Sequence, residues 1–154
     1  MSKLDIGAGA PDFTLLNQHG VPVQLRELLG TKNVVLYFYP KDASPRCTTE
    51  ARAFRDAYQS FAAADTVVVG ISSDSVRSHQ RFAMQEDLPF LLLSDPKSDV
   101  RELYGVGRML GIVPERVTYV IDRNGIVRHV YAAQLAAARH VSEARHAVEG
   151  LSAP

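Results

Sequence analysis

Cys47 is the only cysteine in this chain of 154 residues, and it stands in the stretch YFYPKDASPRCTTEARAFRD. Ser44 and Pro45 precede it, and proline favours the first position of a helix because its missing N–H is not needed there. Ser44 is therefore the predicted N-cap, and Cys47 lies in the first helical turn. Unpaired backbone N–H groups, the positive end of the helix dipole and the neighbouring Arg46 all favour a thiolate. This arrangement predicts a cysteine nucleophile.

The residues alone leave a second interpretation of this cysteine open. Cys47, Ala51, Phe54, Tyr58 and Phe61 recur at helical spacing. A lone cysteine on such an apolar stripe is usually a small buried hydrophobe. A single cysteine also cannot form an intramolecular disulfide, so the fold does not depend on one.

Other site chemistries have little support in the sequence. The five histidines contain no pair spaced by four residues and Cys47 stands alone, so we expect no metal site. The absence of a CxxC motif excludes dithiol exchange of the thioredoxin type. A Cys-His hydrolase is conceivable, but no motif places a histidine for it. The chain has no phosphate-binding glycine loop between a strand and a helix, so we expect no cofactor.

Strand and helix patterns alternate along the chain after residue 32. Apolar runs predict strands at 33–40, 66–73, 89–95, 116–122 and 125–132. Helical spacing predicts helices at 44–64, at 74–87, from Pro96 to about Tyr104 with Asp95 as N-cap, and through ARHVSEARHAVEGL to a stop near Gly150. Residues 105–115 are predicted to be a loop, and the first 32 residues a hairpin turning near His19 and Gly20. This order predicts one α/β domain over 1–154, with a mixed central sheet flanked by helices.

Composition narrows the classes of partner. Apolar residues make up 46% and charged residues 22% of the chain, and the net charge is zero. That balance is typical of a globular protein and gives no electrostatic reason to expect nucleic acid or an anionic membrane. The start, MSKLDIGAGAPDF, has no long apolar run, so we expect no signal peptide and no membrane span. The lone thiol suits a reducing, cytoplasmic setting.

Several segments together resemble one known family. The pattern Pro-x-x-x-Thr/Ser-x-x-Cys falls on Pro40, Ser44 and Cys47, and ERVTYVIDRNGIVRHVY resembles the segment that carries an active-site arginine, here Arg116. GAPDFTL, VVVGISSDSVRSHQRFA and LPFLLLSD match further segments in the same order. On these motifs the chain resembles the peroxiredoxins of the AhpC/TSA family, in the PrxQ or bacterioferritin-comigratory-protein branch. The resemblance implies a thioredoxin-like fold with an N-terminal β-hairpin extension.

The resemblance also implies an activity, the reduction of hydrogen peroxide and organic hydroperoxides. The Cys47 thiolate would attack the peroxide and become a sulfenic acid. Arg116 would donate hydrogen bonds to the peroxide and keep the thiolate ionised, the Ser44 hydroxyl would bond a peroxide oxygen, and Pro40 would shape and dry the pocket. Glu50, one turn after Cys47, either orients an arginine or is a partner of the helix dipole.

The chain departs from the family where relatives carry a resolving cysteine. Arg52 occupies one such position and the segment around Ala83 the other, and no second thiol exists. Arg46 stands where a small residue is usual. The resemblance therefore implies recycling by an external thiol such as thioredoxin, glutaredoxin or a small thiol, in a protein that is a monomer. A non-catalytic redox sensor or binding module of the thioredoxin fold is the alternative function.

Overall fold

The computed structural model describes residues 2–109, 111 and 113–152 of the chain. The strands are β1 (Thr14–Leu16), β2 (Pro22–Gln24), β3 (Asn33–Phe38), β4 (Thr66–Ser72), β5 (Leu91–Ser94), β6 (Arg108–Met109), β7 (Val113–Pro114), β8 (Val117–Ile121) and β9 (Val127–Ala132). The helices are α1 (Leu25–Leu28), α2 (Pro45–Asp56), α3 (Tyr58–Ala63), α4 (Val76–Glu86), α5 (Asp99–Leu103) and α6 (Ala137–Ser152). None of the helices in these ranges is long and apolar enough to cross a membrane.

Seven strands form one mixed sheet in the order β2-β1-β5-β4-β3-β8-β9. β3, β4 and β5 are parallel, which suits strands joined through helices, while β8 runs antiparallel to both β3 and β9. The β1–β2 hairpin pairs antiparallel with β5 at the other edge. The predicted mixed sheet with an N-terminal hairpin is therefore confirmed.

The core lies on both faces of the sheet, because successive side chains of β3 point to opposite faces. Leu36 enters one apolar cluster, to which α1 and α5 contribute, while Tyr37 enters the other. The second cluster is covered by α2, α3, α4 and α6, and it includes Cys47. All six residues of β3 are buried, as expected for a central strand covered by helices on both sides.

Two predicted helices differ from the structure in their extent. The helix predicted over 44–64 is interrupted at Ala57 (φ −94°, ψ 1°), which separates α2 from α3. No glycine or proline marks this break, and the apolar spacing continues across it, so that Phe54 and Phe61 still pack with ring centroids 6.1 Å apart. The last helix runs to Ser152, two residues beyond Gly150, near which the sequence predicts its end.

The segment after β5 also differs from the prediction. α5 begins at Asp99, and Asp95 instead accepts hydrogen bonds from the backbone N–H groups of Val100 and Arg101 at 3.2 and 3.0 Å. An aspartate four residues ahead of the helix thus satisfies two of its free donors, a contact that the Asp-Pro signal does not reveal. The predicted loop over 105–115 contains the short β6–β7 hairpin. α4 is capped by Ser75, one of the two kinds of residue predicted for that position.

Candidate active site

Cys47 is the third residue of α2 and is only 2% exposed. Pro45 opens the helix and Ser44 holds the N-cap position with extended backbone (φ −70°, ψ 150°), as the sequence predicts. The buried apolar side of α2 carries Cys47, Ala51 and Phe54 into the second core cluster. Both interpretations of the cysteine therefore hold in part, since the thiol is buried and also lies in the first turn of a helix.

The Ser44 hydroxyl does not cap the helix. It donates a hydrogen bond to the carbonyl oxygen of Lys41 at 2.9 Å, and no first-turn N–H donates to it. The predicted capping contact was therefore wrong, although the position was right. The bond across 41–44 folds this loop back on itself, so that the Ser44 side chain faces the same pocket as Cys47.

Arg116, the residue just before β8, contacts Cys47. β3 and β8 pair antiparallel with Phe38 opposite Val117, so Arg116 lies beside the end of β3. Its Nη2 donates to the Cys47 sulfur at 3.4 Å and its Nη1 donates to Glu50 Oε1 at 2.5 Å, and the residue is 3% exposed. Burial alone would lower the pKa of Arg116, but the charges of Glu50 and Cys47 outweigh it and raise that pKa. The guanidinium is therefore a permanent buried cation.

Glu50 is the buried carboxyl on the other side of Arg116. It lies one turn after Cys47 on α2 and is 0% exposed. Burial raises the pKa of the Glu50 carboxyl to about 7, although Arg116 acts to lower it. Of the two roles considered for Glu50, the structure supports the orientation of Arg116, because the residue binds that side chain directly.

Sequence reasoning missed two residues that hold this site in place. Gln134, between β9 and α6, accepts a hydrogen bond from the Arg116 backbone N–H at 2.9 Å and donates to the Pro114 carbonyl at 3.0 Å. His140 of α6 is completely buried, 3.8 Å from Glu50 Oε2. Neither belongs to a spacing motif. Gln134 is held by its bonds around Arg116, and the packing of α6 against α2 and β8 brings His140 to the site.

A cavity of about 410 Å³ opens above the cysteine. The four predicted site residues, Pro40, Ser44, Cys47 and Arg116, all line it. Pro45, Arg46, Val113 and Gln134 complete the lining. The pocket is large enough for a small reactant, and the thiol and the guanidinium are its reactive groups.

A polar cluster of the buried Asp42 and His79 and the half-buried Asp74 anchors the loop that carries Pro40 and Ser44. One nitrogen or oxygen atom of each of Asp42, Asp74 and His79 lies within 4.8 Å of the others. These are residue types that bind metals, and the sequence did not predict their grouping. Asp42 accepts hydrogen bonds from the Tyr39 hydroxyl at 2.6 Å and from Ser78 at 2.8 Å, and its Oδ2 lies 2.7 Å from His79 Nδ1. The Asp42 backbone N–H donates to Asp74 at 2.8 Å. These contacts tie the loop to α4 and to the end of β4.

The fold and this site define a class of protein. The structure has a mixed sheet, a buried cysteine at the start of a helix, and an arginine just before β8 that contacts it, as the peroxiredoxin resemblance predicted. Residues 6–130 match the AhpC/TSA family.

Comparison with known proteins narrows the family to one branch. The chain is 46% identical over 151 residues to chloroplastic peroxiredoxin Q of Sedum lineare, and the aligned region covers 97% of the chain and 81% of that protein. It is 48% identical to chloroplastic peroxiredoxin Q of Arabidopsis thaliana over 92% of the chain and 66% of that protein. The crystal structure of peroxidoxin BcpB from Mycobacterium tuberculosis superposes with a TM-score of 0.90 at 36% identity, covering 98% of this chain and 99% of that one. The chain belongs to the AhpC/TSA family and, within it, to the peroxiredoxin Q branch.

Proposed function

We propose that the chain is a thiol-dependent peroxidase that reduces hydrogen peroxide and organic hydroperoxides through a sulfenic acid on Cys47. The observation that carries this proposal is the 3.4 Å contact between the Cys47 sulfur and the buried Arg116 guanidinium at the base of an open cavity. A permanent cation in a site shielded from water stabilises a thiolate, and the thiolate is the nucleophilic form.

Each pocket residue has a part in the first step. The Cys47 thiolate attacks one peroxide oxygen, an S–O bond forms, and the O–O bond breaks. The leaving hydroxide or alkoxide takes up a proton and departs as water or alcohol. Arg116 donates to the reacting oxygens as their charge shifts, and the Ser44 hydroxyl bonds the peroxide. Pro40 lines the cavity, and its apolar ring excludes water from it. Because proline has no backbone N–H, it offers no donor that would compete for the thiolate.

The second half of the reaction needs a thiol from outside the chain. No other cysteine exists to condense with the sulfenic acid. Where relatives keep a resolving cysteine, Arg52 instead pairs with Glu86 of α4 at 2.6 Å. An incoming thiolate attacks the Cys47 sulfur, an S–S bond forms, and the hydroxide that leaves takes up a proton to become water. A second external thiolate then attacks the outer sulfur of the mixed disulfide, which forms a disulfide between the two external thiols and releases the Cys47 thiolate.

The reductant, assembly and compartment belong to the same proposal. The reductant is thioredoxin, glutaredoxin or a small thiol, the active form is a monomer, and the protein works in the cytoplasm. A free thiol that must return to its reduced form supports a reducing compartment. Sedimentation of the reduced protein and cell fractionation test the assembly and the compartment.

Peroxide consumption with each candidate reductant tests the activity. The wild type should turn over many equivalents of peroxide, and Cys47→Ser should turn over none. A matched surface variant, Ser142→Ala, should keep the wild-type rate, because Ser142 is exposed on α6 and bonds only the nearby Arg139 carbonyl. Oxidation that stops after one equivalent with every reductant would contradict the enzyme and favour the redox sensor.

A further inference from the structure

The cavity above Cys47 is lined by positive and neutral side chains. Of the described residues that line it, Arg46 and Arg116 are cations and none is acidic. Arg46 is exposed at the second position of α2, and none of the ion pairs or hydrogen bonds among the described residues involves its side chain. Lys41, on the loop before α2, is also exposed and has no ion pair there. The opening of the cavity is therefore positive, in a chain whose net charge is zero.

The acidic residues that neighbour this cavity along the chain are engaged elsewhere. The first turn of α2 contains none. Asp42 is buried and accepts hydrogen bonds within its own loop cluster, and Glu50 is buried and binds Arg116. Glu115 pairs with Lys3 at 2.8 Å. Since the unpaired N–H groups at the start of α2 add to the positive potential, the cavity attracts anions.

Arg116 also has a donor that the protein leaves unused. Its Nη1 donates to Glu50 and its Nη2 donates to Cys47, but Nε is buried and has no partner among the described residues. A buried donor without an acceptor is costly, so an acceptor brought by a ligand would be stabilised there. Because Arg116 lines the cavity, an anionic sulfur that enters the cavity can be that acceptor.

The size of the cavity and the burial of the sulfur limit the size of the reductant. The cavity has a volume of about 410 Å³, and a concave site of this volume suits a small molecule. Cys47 is only 2% exposed and packs with Ala51 and Phe54 in the second core cluster. The thiol of a folded protein lies on a broad surface, so it could meet this sulfur only if α2 opened. The closed structure therefore favours a small thiol.

We propose that the reductant is a small thiol that carries a second anionic group, and that Arg46 is the residue that selects it. This inference rests on the proposed peroxidase function. The thiolate of the reductant attacks the Cys47 sulfur, the S–S bond forms as the S–O bond breaks, and the hydroxide leaves as water after it takes up a proton. The second anionic group, such as a carboxylate, is drawn to the Arg46 guanidinium at the opening, since a guanidinium binds such groups through paired hydrogen bonds.

Three thiols with the same two-carbon frame test the charge alone: mercaptoethanesulfonate is negative, mercaptoethanol neutral and cysteamine positive. Cys47 is oxidised with one equivalent of hydrogen peroxide, and the mixed disulfide with each thiol is followed by rapid quench and intact mass. Comparing wild type with Arg46→Gln cancels the intrinsic reactivities of the thiols. Arg46→Gln should slow the sulfonate about fivefold, speed cysteamine about fivefold and leave mercaptoethanol unchanged, the factor for two unit charges about 4 Å apart in water. Molar salt, with a screening length of about 3 Å, should remove these differences.

Arg46→Lys should keep the wild-type preference, and Arg145→Gln, an exposed arginine of α6 that does not line this cavity, should change none of the rates. Equal effects of Arg46→Gln on all three thiols overturn the proposal. So does a thioredoxin that recycles the wild type and Arg46→Gln at one rate, faster than every small thiol. If peroxide does not oxidise Cys47, the peroxidase itself is contradicted. The charge preference is then measured without peroxide, because the Cys47 thiolate attacks the symmetrical disulfide of each probe, forms the same mixed disulfide and releases one probe thiolate.

Discussion

Replacing Glu50 by glutamine should change the pH dependence of stability by an amount that follows from the structure. Burial raises the pKa of this carboxyl from its ordinary value of 4.5 to about 7. The folded chain therefore holds the proton more tightly than the unfolded chain does. Below about pH 4.5 the carboxyl is protonated in both states and does not lower the free energy of unfolding. As the pH rises to about 7, it lowers that free energy increasingly. At about 1.36 kcal/mol per pH unit, the free energy of unfolding falls by about 3 kcal/mol across this range.

His140 has the opposite effect over nearly the same range. Burial lowers its pKa from 6.5 to about 4, so the unfolded chain binds the proton first as the pH falls. Its stabilisation is complete above pH 6.5 and is lost towards pH 4, again by about 3 kcal/mol. Between pH 4.5 and 6.5 the two contributions nearly cancel in the wild type. Glu50→Gln removes one of them, so the stability of the variant should rise with pH.

Urea unfolding of the wild type and Glu50→Gln from pH 4.5 to 7.5 measures the difference. The stability of the variant relative to the wild type should improve by about 3 kcal/mol over this range. Glu149→Gln, at an exposed position on α6, is the control and should follow the wild type. Parallel curves for Glu50→Gln and the wild type would refute the reasoning, because they would mean that Glu50 does not change its proton binding on folding.

Three further predictions concern the reaction. Arg116→Ala should slow peroxide attack by roughly 10²–10³ in stopped-flow, since it removes a charged donor at the reacting atoms, and a rate equal to the wild type would remove Arg116 from the site. Gln134→Ala should slow attack by a smaller factor, about tenfold, because the two bonds that fix the backbone before and at Arg116 are lost, one from the Arg116 N–H and one to the Pro114 carbonyl. Gln134→Glu keeps only the acceptor and should recover only part of the rate. Without reductant, one equivalent of peroxide should add one oxygen to the intact mass, and excess peroxide should add two or three. With a small thiol present, the product should be a mixed disulfide. A dimer linked through Cys47 of both copies and recycled at full rate would instead indicate an intersubunit mechanism.

The sequence could predict the parts of the site that are close together along the chain. Pro40, Ser44 and Cys47 fall within eight residues, and a proline before a helical pattern places the thiol in a first turn. Arg116 came from the resemblance, and the β3–β8 register explains why a residue so far along the chain lies beside the cysteine. The direction of the Ser44 hydroxyl could not be predicted, because a serine before a helix can either cap it or bond back to its loop.

The residues that sequence reasoning missed share a physical reason. Gln134 lies in the turn before α6 and His140 in the first turn of α6, and both reach the site through contacts between residues far apart along the chain. Such contacts depend on how α6 packs against α2 and β8, and no periodic pattern in the sequence encodes the orientation of one element relative to another. The break at Ala57 is similar, since the apolar spacing runs through it unchanged. Long-range packing therefore places the residues around Arg116, while the local pattern predicts Cys47 as the candidate nucleophile.

The reactive turn and the core are one packing unit, and this restricts how the reductant can approach. Cys47 and Phe54 enter the same apolar cluster from α2, and Phe54 stacks on Tyr37 with ring centroids 4.5 Å apart. Unwinding the helix to expose the sulfur would disturb Arg116 and this stack together. Relatives that form an internal disulfide have a reason to accept that cost, whereas a chain with one cysteine has none. Under the proposed function, an external thiol therefore has to reach the Cys47 sulfur through the cavity above it, where Arg46 and Val113 form part of the lining.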